Sequence, residues 1–254
     1  MKLLLTNDDG ISAKGLAALA SAFAHSSDVW VVAPHTERSA CSHSLTLDHP
    51  LRIRPVDFSV DVKKAFQVNS TPADCVKVAL SEILDFRPDF ILSGINRGAN
   101  LSIDVFYSGT VAAAFEGAFR GIPAIAFSLA AYEPEGDYSQ VKGWIKEIVE
   151  RTSKHLPPPG TILNVNFPPL PVEKIKGVKI TENARIDCNE NFFKRSDPHG
   201  GTYFWRSIGS QVTDIGPNSD LQAIRDGWIS ISPLKAEWSD HETIKTLRKT
   251  HVWN

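Results

Sequence analysis

The chain has 254 residues, 42% hydrophobic and 22% charged, with a formal net charge of −2. This is the make-up of a soluble globular protein with one large domain, or a domain plus an extension, and it carries no basic footprint for nucleic acid. Three widely spaced cysteines, Cys41, Cys75 and Cys188, exclude a disulfide framework and a Cys-type zinc site, and no apolar run suits a bilayer span or a secretory core, so the cytoplasm is the expected compartment.

Leu3–Thr6 reads as a short buried strand, followed by an Ala/Leu-rich helix over Ala13–Ala24. Val29–Ala33 is a second strand, ended by Pro34, and His35–His49 is a polar loop without periodicity. Thr71 and Pro72 form a helix-start signal, as N-cap and first position, for a helix running to about Asp85. Asp89–Ser93 is a third strand and Gly94–Asn100 a loop. Gly109–Phe119 is a helix apolar on every side, hence buried. Pro123–Leu129 is a strand, Ser139–Lys154 an amphipathic helix and Thr161–Asn166 a fifth strand. This alternation predicts an open, mainly parallel sheet with helices on both faces, an α/β core over residues 1–170. Residues 171–254 differ. Val178–Arg185 and Gly201–Ile208 read as strands of a hairpin-rich arm for oligomer contacts. Trp228–Ser232 returns to the sheet, and Asp240–Thr250 forms a last helix.

The first strand ends in Thr6-Asn7-Asp8-Asp9-Gly10. Ligands of open parallel sheets bind beyond the carboxyl ends of the strands. Two carboxylates ~4–5 Å apart repel by roughly 3–4 kcal/mol at an effective dielectric of ~20, and a divalent cation removes that cost. The plain alternative is one aspartate capping the next helix. Ser39 and Asn96 follow the second and third strands. Together the four residues make an all-oxygen set suited to Mg²⁺, Mn²⁺ or Ca²⁺ rather than zinc. Ser108-Gly109-Thr110 opens the apolar helix with hydroxyls and free N–H groups, an anion site or an ordinary N-cap. The Gly94–Asn100 loop suits wrapping a phosphate.

Five segments, LLLTNDDGI, VVAPHTERSACSHSLTL, VNSTPADCVKVAL, PDFILSGINRGANLSIDVFYSGTVAAAFEG and DGWISISPL, together resemble the SurE (survival protein E) family of metal-dependent 5′/3′-nucleotidases. The resemblance implies a Rossmann-like three-layer core and a C-terminal β-hairpin extension used to form homodimers or homotetramers. It implies one divalent ion per subunit and hydrolysis of nucleoside 5′- or 3′-monophosphates; the rival readings are a phosphatase that trims short polyphosphate with the same metal and phosphate loops, and a metal-gated nucleotide sensor. By position, Asp8, Asp9, Ser39 and Asn96 match the family's metal ligands. Asn96, Asn100, Ser108, Gly109 and Thr110 match its phosphate contacts. Asp8 and Asp9 are the candidate catalytic residues, as base or, less directly, as a nucleophile. His43 is a candidate proton carrier or a plain loop histidine, and Arg97 a candidate phosphate contact or a surface ion pair. A receiver-type phosphoacceptor would need an aspartate where Asn96 stands. A haloacid-dehalogenase-type phosphatase would need Asp-x-Asp rather than adjacent acids.

Overall fold

The computed structural model describes residues 1–131, 137–185, 192–206, 216–237 and 239–250. The first strand, β1 (Lys2–Thr6), lies near the middle of a nine-stranded sheet. Helix α1 (Lys14–Phe23) leads to β2 (Asp28–Pro34), parallel to β1. Two strands follow that no apolar run announces, β3 (Ile53–Pro55) and β4 (Lys64–Val68). In β4 only Ala65 and Val68 are fully buried, so its sequence carries neither a continuous apolar stretch nor clean alternation. Helix α2 (Pro72–Val78) is capped by Thr71, whose side chain accepts the Asp74 N–H. It is shorter than its sequence suggests, because a wider turn over Ala79–Ile83 takes over.

The chain then returns to the other side of β1 as β5 (Phe90–Arg97). This strand runs beyond the expected Ser93, through a register shift between Ser93 and Asn96, and so delivers Asn96 at its end. Helix α3 (Gly109–Phe119), β6 (Ala124–Leu129), α4 (Lys142–Lys154) and β7 (Thr161–Phe167) complete the core close to the expected bounds. Past residue 170 come β8 (Val178–Ile180), the hairpin strands β9 (Phe192–Ser196) and β10 (Thr202–Arg206), α5 (Asp220–Arg225), β11 (Ile229–Lys235) and α6 (His241–Thr250). The sheet order is β3-β4-β2-β1-β5-β6-β7-β11-β8. From β4 to β7 every pair is parallel, while β11 runs antiparallel to β7 and β3 to β4.

The expected strand over Val178–Arg185 stops at Ile180 and pairs with β11, not with the hairpin. Beyond it, Asp220 takes over. Its carboxylate accepts the N–H groups of Ser102 at 2.7 Å and Ala184 at 2.9 Å, tying α5 to two loops. The six-residue α5 is too short to show a helical period in sequence. Cys188, Trp238 and Trp253 lie outside the described residues.

Alternation sets the layers. Leu3 and Leu5 pack with α1 and α4 on one face, and Leu4 with α2 and α3 on the other. Ala113, Ala114, Ala118 and Gly117 let α3 lie close on Ala124 and Ala126 of β6; a Cβ on Gly117 would stand 2.8 Å from Ile91 Cδ1. No described helix is long and apolar enough to cross a membrane.

Gly15 of α1 meets β5 at still closer range, since a Cβ there would fall 2.0 Å from the Ile95 carbonyl oxygen. Gly143 of α4 has nothing within 4 Å of the same position. Gly15→Ala is expected to lower stability by about 1–3 kcal/mol through overpacking. Gly143→Ala is expected to raise it by about 0.5–1 kcal/mol. Urea unfolding of the two variants checks this pair, and equal effects would contradict the close α1–β5 approach.

Candidate active site

The parallel strands reverse their order of addition at β1. After β1 the chain builds outward through β2 and β4, then crosses back to β5. The crevice beyond the carboxyl ends of β1 and β5 is therefore the switch point of the sheet, where ligands of such folds bind.

The turn leaving β1 is held by Asn7, which is fully buried. Its Nδ2 donates to the Gly10 carbonyl at 3.0 Å, and the Gly10 N–H donates to its Oδ1 at 3.2 Å. Gly10 has φ +98°, and a Cβ there would lie 3.1 Å from the Thr36 backbone. Asn7 and Gly10 thus close a tight turn, and Asp8 and Asp9 are the two residues left at its tip.

Each neighbouring segment is fastened to this tip. The Arg38 N–H donates to the Asp8 carbonyl at 2.7 Å, bringing Ser39 alongside. The Arg97 N–H donates to Asp9 Oδ2 at 3.1 Å, which fixes the end of β5 and Asn96. The Thr110 hydroxyl donates to Asp8 Oδ1, joining the start of α3 to the pair. Gly109 packs directly on Asp8; a Cβ would stand 2.9 Å from Asp8 Cβ, 3.1 Å from Asp8 Oδ2 and 2.8 Å from Cys41 Sγ. Ser108 caps α3, its oxygen accepting the Val111 N–H at 3.1 Å.

The fit to a cation rests on the oxygens left over. Among the described residues, Asp8 Oδ2 accepts from no side chain and Asp9 Oδ1 accepts no hydrogen bond. Asn96 Nδ2 donates to the Gly98 carbonyl at 2.9 Å, leaving Oδ1 unengaged. Ser39 Oγ donates to Glu37 Oε1 at 2.6 Å and keeps its lone pairs. The four residues thus offer four oxygens, two of them anionic, a hard-cation donor set. No group of three His, Cys, Asp or Glu that could hold a metal occurs among the described residues, because half of this set is neutral.

The electrostatics agree. Burial pushes Asp8 up to about 6; the Thr110 hydrogen bond opposes the rise and the neighbouring Asp9 adds to it. Asp9 is also raised by burial, against the pull of the Arg97 N–H and guanidinium. The turn therefore holds two acids that resist ionising together.

Asn100 stands apart from this cluster. Its N–H donates to Asn166 Oδ1 at 2.8 Å, its carbonyl accepts from Asn164 and Asn166, and its Nδ2 donates to Ser128 Oγ at 2.8 Å. It anchors the Gly98–Leu101 turn to the ends of β6 and β7. Sequence reasoning passed over Asn164 and Asn166, although two asparagines alternating inside a buried strand are a visible signal. Glu37 was also missed; it links Ser39 to Arg97, which it meets at 3.4 Å. His43 turns away from the phosphate-type residues. Its Nε2 is 2.9 Å from Glu116, six residues beyond Thr110 and so about 9 Å down α3.

Known proteins resemble this chain along its length. Residues 3–190 match the family model described as Survival protein SurE. A 5′-nucleotidase SurE from Syntrophobacter fumaroxidans is 41% identical over 254 residues, all of both chains. One from Vibrio cholerae serotype O1 is 41% identical over 248 residues, 97% of this chain and 96% of the relative. The crystal structure of the SurE protein from Aquifex aeolicus superposes with a TM-score of 0.86 at 35% identity, over 99% of this chain and 100% of that one. This chain belongs to the survival protein SurE family.

Proposed function

We propose that this chain is a divalent-metal-dependent phosphomonoesterase that hydrolyses nucleoside 5′- and 3′-monophosphates to nucleoside and phosphate. The observation that carries the reading is the junction of the Asp8–Asp9 turn with the start of α3 through Thr110 and Gly109. It joins a cation-type donor set to an anion-type helix start. The printed name of the relatives, 5′-nucleotidase, supports the substrate class.

Asp8, Asp9, Ser39 and Asn96 would hold one Mg²⁺ or Mn²⁺. When bound, such an ion supplies charge neutralisation and polarises a phosphoryl oxygen. The start of α3 would receive the phosphate oxygens, with the Ser108 hydroxyl, which accepts the Val111 N–H and keeps its own proton to donate, beside the Gly109 backbone. Asp8 is closed in by Thr110, Gly109 and Cys41, whereas Asp9 is only partly buried and keeps Oδ1 unengaged. Asp9 is therefore the more accessible of the two carboxylates, and through Oδ1 it would hold the ion on the side where water attacks phosphorus in line. The β9–β10 hairpin completes the reading as an oligomer contact. Phe192, Phe193, Phe204 and Trp205 are all more than half exposed on it, an unusual amount of aromatic surface for a free hairpin.

Phosphate release from AMP, 3′-AMP and p-nitrophenyl phosphate tests the chemistry. Chelation is expected to abolish turnover and Mg²⁺ or Mn²⁺ to restore it, with Asp9→Asn lowering kcat at least about 100-fold. Turnover that survives exhaustive chelation would refute metal dependence.

Asp8 makes a second, pH-dependent expectation. With its folded pKa above the unfolded one, its contribution to stability is full below about pH 4 and is lost as pH rises through about 6. In chelated protein, the stability of wild type relative to Asp8→Asn should fall by up to about 3 kcal/mol between pH 4 and 7. Saturating Mg²⁺ or Mn²⁺ should reverse that slope. A flat difference across this range would remove the argument that burial opposes the Asp8 charge.

For the hairpin, Phe204→Glu with Trp205→Glu is expected to reduce the assembly measured by light scattering. An unchanged mass would put the contact elsewhere.

A further inference from the structure

Ser108, the cap of α3, also lines a groove that runs down the helix. Val111, Ala112, Phe115 and Phe119 line it too, at the spacing of one helix face, and the end of β11 from Pro233 onward borders it. The groove has a volume of about 550 Å³, within the range of pockets that take small molecules.

Its lining is aromatic, and part of that aromatic surface is open. Phe106 and Phe119 are 57% and 56% exposed. The Phe119 ring is stacked with His43 at 5.7 Å between centroids, and with Phe115 at 6.1 Å, at interplanar angles of 12° and 20°. Nε2 of His43 lies 2.9 Å from Glu116, which fixes the imidazole against this row. Near-parallel rings of this kind present faces on which a further flat ring can stack.

The groove starts where a phosphate oxygen would be held. From Ser108 to Phe115 is seven residues, about 10 Å along the helix axis, which is comparable to the length of a nucleoside. Charge argues against a longer phosphate chain as the occupant. On the lining, Lys235 is paired with Glu237 and His43 with Glu116, so the cationic side chains are already matched to carboxylates. We propose that this groove is the nucleoside subsite: with the phosphate at the start of α3, ribose and base run down the helix and the base stacks on Phe115, with Phe106 and His43 beside it. This deepens the phosphomonoesterase reading above and rests on it. It also selects mononucleotides over short polyphosphate.

The test compares wild type, Phe115→Leu and Phe106→Ala, each loaded with Mn²⁺. Phe115→Leu keeps an apolar side chain in the partly buried position, and Phe106 is exposed enough to be truncated without emptying the core. Rates are measured on AMP and on ribose 5-phosphate, which has the phosphate and the sugar but no base, and adenosine is titrated by calorimetry. Loss of the ring in Phe115→Leu should lower kcat/KM for AMP about 5–100-fold, mainly through KM, and weaken adenosine binding in proportion. Ribose 5-phosphate should be affected far less. Phe106→Ala should shift the same ratio in the same direction. An AMP to ribose 5-phosphate ratio like that of wild type in both variants would overturn the proposal. So would a drop in assembly mass by light scattering with that ratio unchanged, since the groove would then be a contact between copies of the chain. If wild type hydrolyses neither substrate, the phosphomonoesterase reading fails instead. The adenosine titration of the three proteins then decides on its own whether the groove takes a nucleoside.

Discussion

The structure turns on one carboxylate that the fold keeps from solvent. Asp8 sits at the tip of a turn whose closure by Asn7 and Gly10 leaves it no freedom to swing outward. Burial favours its neutral form, and Asp9 beside it strengthens that preference. Yet Thr110 donates to it as one would to an anion, and the residues around it offer oxygens rather than cations. The arrangement is unsatisfied by the protein alone. The proposed divalent ion would resolve it and leave the site near neutral before any substrate arrives.

The sheet supplies this arrangement at low cost. At the switch point, strands leave β1 in opposite directions, so the tips of β1 and β5 border an open crevice. The small residues of α3 let the helix sit close on the sheet, which brings its N-terminus level with the β1 turn. Gly109 is required there because Asp8 and Cys41 occupy the space a side chain would need. Helix and carboxylate therefore act as one rigid unit. In the proposed reading, a phosphate oxygen at the helix start would be held at a fixed distance from the cation-type donors.

Much of this was legible in the sequence. The buried strands Leu3–Thr6 and Pro123–Leu129 and the all-apolar helix Gly109–Phe119 announce themselves because both faces of a parallel sheet are covered. The candidate donors could be named because Asp8 and Asp9 follow the first strand, Ser39 the second and Asn96 the third. What stayed hidden was surface-coupled. β4 is half-buried near the sheet edge, so its pattern is broken, and β9 is wholly exposed, so no burial shaped its sequence. The partner of each site residue was equally hidden. Nothing local in sequence says that Ser39 bonds to Glu37 or that Asn100 is anchored by Asn164 and Asn166, since the latter contacts span more than sixty positions.

The polar segment His35–His49 shows how little regular structure precise placement needs. It forms neither helix nor strand, yet it is fixed along its length. Arg38 is held to Asp8, Ser42 N–H to the Tyr107 carbonyl at 2.9 Å, Thr46 N–H to Asp74 at 2.8 Å, and the Ser44 carbonyl to the Thr71 hydroxyl at 2.8 Å. Most of these bonds use the main chain. This segment is therefore held largely without the side chains proposed to bind metal or phosphate. Of the proposed ligands, Asp9 is also part of the frame, since its carboxylate accepts the Arg97 N–H, while Ser39 can be exchanged for a shorter group without releasing its loop. Gly10 and Gly109 cannot, because their space is the frame itself. Chemistry and scaffold overlap at Asp8 and Asp9 and separate at Ser39, so the boundary between them runs from one residue to the next.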